Sequence, residues 1–183
     1  MPLQKPGRSK QDYSTPTEFI TAVKLLLGIE KFSFDFAADR DNAKANAYWD
    51  IETDALSQSA ANWAINSRKG WGWLNPPYGD IAPWASKCLQ ALRSGGRIAF
   101  LVPASVGSNW FRDYIHDQPD VTTLFLNGRL CFIDDWQHKT YTNRRGEIVS
   151  YTSEPLYPKD TMLVLFGQFS DSHDYVSDVW TWK

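Results

Sequence analysis

The tetrapeptide Asn75-Pro76-Pro77-Tyr78 is the stretch of this chain whose residue types and spacing can do chemistry. It follows an apolar run, residues 70–74 (GWGWL), that reads as a buried strand, and a helical pattern follows it. In open α/β sheets, ligands bind at the carboxyl edge of the strands. Two consecutive prolines remove two backbone donors and stiffen the turn, so its carbonyls face outward as acceptors. The Asn75 side-chain oxygen and the Pro76 carbonyl can each accept one N–H of an amino group, and the Tyr78 ring can stack on the planar group that bears it. Such a nitrogen is a poor nucleophile while its lone pair is delocalised into a ring or a carbonyl. Two acceptors placed off the plane favour a tetrahedral nitrogen and localise the pair. A sulfonium methyl group can then be attacked in line, with positioning supplying much of the rate. The alternative reading is plain turn chemistry, with Tyr78 an ordinary rim residue.

The elements that must hold this turn are legible in the hydrophobic pattern. Thr15 as N-cap, Pro16 at the first helical position and Glu18 three residues after the cap predict a capping box. Phe19, Ile20, Val23, Leu26 and Leu27 continue at helical spacing up to Gly28. Residues 32–38 (FSFDFAA) read as a buried strand, 39–48 as a loop and short helix, and 56–63 as a small helix. Ile81, Trp84, Ala85, Cys88, Leu89 and Leu92 mark a helix that ends at Gly95-Gly96. Residues 97–102 (RIAFLV) predict a strand stopped by Pro103, and a short helix carries Trp110, Phe111, Tyr114 and Ile115. Strands follow at 121–126, 129–133 and 161–166. Alternating strands and helices from 70 to 126 argue for an α/β sheet of mostly parallel strands. The polar segment 134–160 breaks the rhythm and separates two strands that could pair antiparallel.

At 183 residues the chain has the length of one domain, and 43% hydrophobic against 22% charged residues is a globular composition. A net charge of −2 argues against tight non-specific nucleic-acid binding without excluding a local basic patch. Nine tryptophans suit either an aromatic core or stacking surfaces. Cys88 and Cys131 are isolated, and His116, His138 and His173 form no ligand pair, so neither a disulfide framework nor a metal site is expected. No signal peptide and no membrane-spanning run is legible, which points to a reducing, cytoplasmic setting.

Several ordered blocks resemble the phage-type DNA N6-adenine methyltransferase family across most of residues 12–167. They are Tyr13-Ser14-Thr15-Pro16, then Phe34-Asp35-Phe36-Ala37-Ala38-Asp39 with Asn42-Ala43 and Tyr48, and Thr53-Asp54-Ala55-Leu56 with Trp63. Trp73-Leu74-Asn75-Pro76-Pro77-Tyr78, Leu101-Val102-Pro103-Ala104, Trp110-Phe111, Gly128-Arg129-Leu130-Cys131-Phe132 and Met162-Leu163-Val164 complete the set. The resemblance implies a Rossmann-like class I methyltransferase sheet, mostly parallel with a C-terminal antiparallel strand. It further implies S-adenosylmethionine as donor, adenine N6 in DNA as acceptor, and the cytoplasm of a bacterial or phage-infected cell. It assigns the flipped adenine to Asn75, Pro76, Pro77 and Tyr78, and the cofactor to Tyr13, Thr15, Pro16, Asp35, Ala37 and Asp39, with Asp54 as a further acid. Asp35 and Asp39 could equally be caps or ion-pair partners. A full domain of this class places two more strands between the cofactor strand and the Asn-Pro-Pro-Tyr strand. The stretch between Phe34 and Gly70 shows none, so a sheet lacking one or two strands is expected.

Adenine inside a duplex must be flipped out before chemistry can reach it. The segment 134–160, a loop or hairpin with Lys139, Tyr141, Arg144, Arg145 and Tyr151, is the candidate for gripping DNA; a solvated excursion is its alternative. Ser105 and Arg129 are further candidates for DNA contact, and Phe132 for facing the flipped base, unless Phe132 is core and Arg129 a surface charge. Residues 1–11 read as a flexible arm, 12–169 as the catalytic domain and 170–183 as a tail. Two other readings fit the same residues. A glutamine-amide methyltransferase uses the same tetrapeptide for the same reason, and a non-catalytic nucleic-acid-binding module could keep the fold.

Overall fold

The computed structural model describes residues 14–132, 136–169 and 176–183. The expected N-terminal arm and Tyr13 therefore lie outside the described residues.

The sheet is built from strands whose two faces are both apolar, the pattern of a sheet covered on both sides. In β3 (Ile98–Pro103), Ile98, Phe100 and Val102 face one layer while Ala99 and Leu101 face the other. In β7 (Thr161–Phe166), Met162, Val164 and Phe166 oppose Leu163 and Leu165 in the same way. On one side lie α2 (Ala60–Ser67), α3 (Ala82–Arg93) and α4 (Asn109–Tyr114), contributing Trp63, Ala85, Cys88, Ala91 and Phe111. The other side is covered by Phe19, Ile20 and Val23 of α1 (Thr17–Leu27).

Six strands form this sheet in the order β1-β2-β3-β7-β4-β8. The short β1 (Phe34–Asp35) runs parallel to β2 (Gly72–Leu74), which runs parallel to β3. Strand β7 inserts antiparallel between β3 and β4 (Val121–Asn127). Only β7 opposes the others, giving the mostly parallel Rossmann-like sheet with a late antiparallel strand that the sequence predicts. A separate hairpin, β5 (Thr140–Thr142) with β6 (Ile148–Ser150), rises from the segment before β7.

Several expected elements are corrected. The capping box does not form: Pro16 itself is the N-cap (φ −55°, ψ 140°) and no side chain caps α1. A residue preceding proline is held extended, so Thr15 sits outside the helix and its hydroxyl goes elsewhere. The strand expected over 32–38 shrinks to Phe34–Asp35. Residues 39–48 make turns and no helix, because Asp39 Oδ1 accepts the backbone N–H groups of Asp41 and Asn42 and bends the chain locally. The small helix of 56–63 is instead a 3₁₀ turn (Ala55–Ser57) followed by α2, split where Ser59 caps the new helix. The described residues of the strand expected at 129–133 are irregular, since Gly128 at φ 112° turns the chain away from β4. It is β4, not that segment, that pairs antiparallel with β7.

The sheet stops at β1, without the two further strands of a full domain among the described residues. Residues 47–49 take over the exposed edge. Asp35 donates its N–H to the Ala47 carbonyl, Trp49 donates to the Asp35 carbonyl, and Tyr48 bridges Asp35 in parallel register. This partial pairing covers an edge that would otherwise invite another chain. At the opposite edge, residues expected in a tail form β8 (Val176–Thr181), parallel to β4. Trp182 just beyond β8 packs edge-on against Phe19 at 5.1 Å and donates its indole N–H to the Gly128 carbonyl, fastening the C-terminus over α1.

Candidate active site

Strands β1, β2 and β3 run parallel, so their carboxyl ends lie on one edge of the sheet. Chain leaving β1 and β2 there lines a cavity of about 660 Å³, within the range of small-molecule sites. Residues 35–39 form one wall and 75–79 another. Tyr157, on the way into the antiparallel β7, and Phe132, on the way out of β4, close the cavity from the neighbouring strands. The Tyr157 N–H bonds the Leu130 carbonyl at 2.7 Å and ties these two approaches together.

Asn75 is the first residue after β2. Its amide is fixed at both ends: Nδ2 donates to Thr15 Oγ1 at 3.0 Å, and Oδ1 accepts from the Tyr78 hydroxyl at 2.7 Å. The amide is thus turned into the cavity and not into the core. Burial, with the neighbouring Tyr157 adding to it, pushes the Tyr78 phenol well above its ordinary range, so it stays a proton donor. The Tyr78 ring meets Phe132 (6.3 Å between centroids, 77° between planes) and Tyr157 (5.9 Å, 64°), and those two meet each other at 5.4 Å and 85°. Three rings standing edge to face make an apolar box directly beside the Asn75 oxygen. Among the described residues no donor bonds the Pro76 carbonyl.

The other end of the cavity is governed by Asp35, which is almost wholly buried. Burial raises its carboxyl to about 6, opposed by the backbone N–H groups of Lys44 and Ala37 and by the Lys44 charge, with nearby Asp39 adding to the rise. The Lys44 N–H reaches Oδ2 at 2.9 Å and the Ala37 N–H reaches Oδ1 at 3.2 Å, leaving each oxygen a further lone pair. The small Ala37 and Ala38 keep the approach open. Asp39 lines the same wall, but its carboxylate is engaged by Asp41 and Asn42 of its own turn. Asp54 lines it as well; held at φ 47°, it caps the 3₁₀ turn by accepting from the Leu56 N–H.

The structure therefore brings together Thr15, Asp35, Ala37, Asp39, Asp54, the whole of Asn75 to Tyr78, and Phe132. Pro16 is buried behind Thr15 and does not line the cavity. Ser105 lies beyond β3 in a turn closed by its own carbonyl with Ser108, outside the lining. Arg129 is exposed and ion-paired with Asp160 at 3.2 Å. Lys139, Arg144 and Arg145 are exposed on or beside the β5–β6 hairpin and do not line the cavity. At its tip Asn143 Oδ1 accepts the N–H groups of Arg145 and Glu147, and Tyr141 and Tyr151 pair at 4.8 Å. The described residues contain no group of three His, Cys, Asp or Glu side chains able to hold a metal ion, and no helix long and apolar enough to cross a membrane.

Sequence reasoning missed Lys44, Trp49, Trp84 and Tyr157. Lys44 reaches across the cavity wall to Ser14 Oγ at 2.6 Å. Trp49 packs on Phe34 and Phe36 at 5.0 and 5.4 Å. For Tyr157 the available signal was a ring just before a predicted strand on the cavity edge; the other three carry none that is local.

Comparison with known proteins places the chain in a family. A family model described as DNA N-6-adenine-methyltransferase (Dam) matches residues 4–172. A DNA N-6-adenine-methyltransferase of Escherichia phage T1 is 28% identical over 158 residues, a match covering 79% of this chain and 63% of that relative. The chain thus spans less than two thirds of that relative's length. With a family match running from the start of the chain past the end of β7, this protein belongs to the DNA N-6-adenine-methyltransferase family.

Proposed function

We propose that this protein transfers a methyl group from S-adenosylmethionine to N6 of an adenine flipped out of DNA. The observation that carries the reading is the Asn75 amide, fixed at both ends and facing a cavity that it shares with the buried Asp35 carboxylate. The Tyr78 hydroxyl on Oδ1 occupies the place of one hydrogen of the adenine amino group. When the base enters, Tyr78 gives up that contact and its ring becomes a stacking surface, with Phe132 and Tyr157 on the other sides of the box. Asn75 Oδ1 and the Pro76 carbonyl then hold the two amino hydrogens, drawing the nitrogen lone pair out of the ring plane. Asn75 is an acceptor and not a base, so the extra proton on the methylated nitrogen leaves to water.

The residues at the Asp35 end fit the donor. A carboxylate with lone pairs to spare suits an ammonium or ribose hydroxyls, and Ala37 and Ala38 allow close approach. When bound, S-adenosylmethionine supplies a methyl group already activated for attack. The contribution of this chain is to hold donor and amino group in line, a positioning effect that can account for several kcal/mol (roughly 7–11 in favourable cases). The exposed Lys139, Arg144 and Arg145 of the hairpin supply charge for DNA phosphates. Incubation with tritiated S-adenosylmethionine, DNA and a protein extract tests this reading. Label in DNA supports it; label in protein alone shifts the assignment to a protein amide, and absence of donor binding by calorimetry leaves a non-catalytic module.

A further inference from the structure

We propose that Thr15 is a positioning residue for methyl transfer, and that it acts by accepting from Asn75 Nδ2 and so supporting the amide with its oxygen toward the substrate. This rests on the function proposed above and changes the role that resemblance gives to Thr15, from cofactor contact to support of the substrate-holding amide.

An asparagine amide has an accepting end and a donating end, and a half-turn about its last bond exchanges them. Asn75 can hold an amino group only with its oxygen toward the substrate. Turned over, it presents two N–H groups to a substrate that also offers N–H, and the site repels what it should bind. Something must therefore engage Nδ2 on the far side. Thr15 Oγ1 does so at 3.0 Å, from a side chain that is 2% exposed, so water cannot take its place. Tyr78 also favours the correct orientation at present, but the entering base displaces that contact. Thr15 alone of the two remains during reaction.

Local sequence explains why Thr15 is available. Pro16 is the N-cap of α1 and is buried, and it holds the preceding residue extended. Thr15 is thereby excluded from capping the helix, the role its sequence position suggests, and its hydroxyl is delivered across the sheet edge to the end of β2. Thr15 and Asn75 are sixty positions apart in the chain and meet through the packing of α1 on the face of the sheet that holds Trp73.

The test compares wild type with Thr15→Val, which keeps shape and removes the hydroxyl, and with Thr15→Ser, which keeps the hydroxyl. On an Asn75→Ala background the Thr15→Val change is repeated. With donor and DNA saturating, Thr15→Val should lower kcat roughly ten- to hundredfold, the range expected for a buried partner left unsatisfied. Donor Kd by calorimetry should stay within about threefold, because the hydroxyl is engaged by Asn75. Thr15→Ser should recover most of the rate, and Thr15→Val should add little once Asn75 is already alanine. A second readout needs no activity: the Asn75 side-chain amide resonance, assigned by its loss in Asn75→Ala, should move in Thr15→Val and return in Thr15→Ser. Where Thr15→Val fails to fold, Thr15→Ala takes its place with the same expectations. Unchanged kcat in Thr15→Val (or in Thr15→Ala where it takes that place), a rate loss that Ser does not rescue, or full additivity with Asn75→Ala would overturn the proposal. Failure of the wild type to methylate DNA would instead overturn the proposed function, while the resonance still reports whether Thr15 sets the amide.

Discussion

Raising the pH from about 4 to about 7 should destabilise the folded protein through one buried carboxyl group, Asp35. Its side chain is 2% exposed, and burial lifts it from 3.8 to about 6. Between those values the folded protein keeps a proton on Asp35 that the unfolded chain has released. The folded state then binds more protons, so stability falls as pH rises through this window and levels off above about 6. At about 1.4 kcal/mol per pH unit the gap corresponds to ~3 kcal/mol, an order-of-magnitude figure that the backbone N–H groups of Lys44 and Ala37 already moderate. The assay is urea unfolding from about pH 4 to 7 for wild type and for Asp35→Asn, whose difference removes the titration of all other groups. Asp35→Asn mismatches one of the two backbone donors and should start less stable, but its curve should lack the wild-type decline. Parallel curves for the two proteins would refute the argument. The same linkage predicts that donor affinity weakens below about pH 6 if the donor ammonium or hydroxyls favour the ionised carboxylate.

Three other outcomes follow from the site and its supports. Asn75→Ala should reduce methyl transfer at least a hundredfold with little change in donor Kd, measured by single-turnover kinetics and calorimetry. Gly72→Ala should cost roughly 1–3 kcal/mol in urea unfolding: a Cβ there would lie 2.4 Å from the Phe36 ring, which cannot retreat because it stacks on Trp63 at 4.2 Å. Arg144→Ala with Arg145→Ala should weaken DNA binding and lower the salt dependence of log K by roughly 1–2, with donor affinity unchanged; an unaltered slope would place the phosphates elsewhere.

Much of this site could be read from the chain because its chemistry is local. Asn75 to Tyr78 are contiguous, and the apolar lead-in of β2 announces the sheet edge on which they stand. Both β3 and β7 are unbroken apolar runs, and α1 and α3 keep strict helical spacing, so pattern and structure agree. Agreement fails where tertiary packing overrides local preference. Thr15 carries every local mark of a helix cap, yet Pro16 excludes it from that role and a partner sixty positions away claims it. Asp39 and Asn42 sit among alanines that suggest a helix, but their side chains bond the backbone first. Lys44 and Trp49 reach the cavity only because residues 36–49 wrap back along the edge of β1, which no short-range pattern announces. Residues 176–183 were legible in part: Val179, Trp180, Thr181 and Trp182 are strand-forming types, while a polar stretch before them suggested a tail.

The most direct test is mass spectrometry of nucleosides from DNA incubated with the protein and S-adenosylmethionine, for wild type and Asn75→Ala side by side. The wild-type digest should contain N6-methyl-2′-deoxyadenosine and the variant digest none above background. Methylated deoxycytidine in place of it, or equal N6-methyl-2′-deoxyadenosine in both digests, would contradict the proposed mechanism.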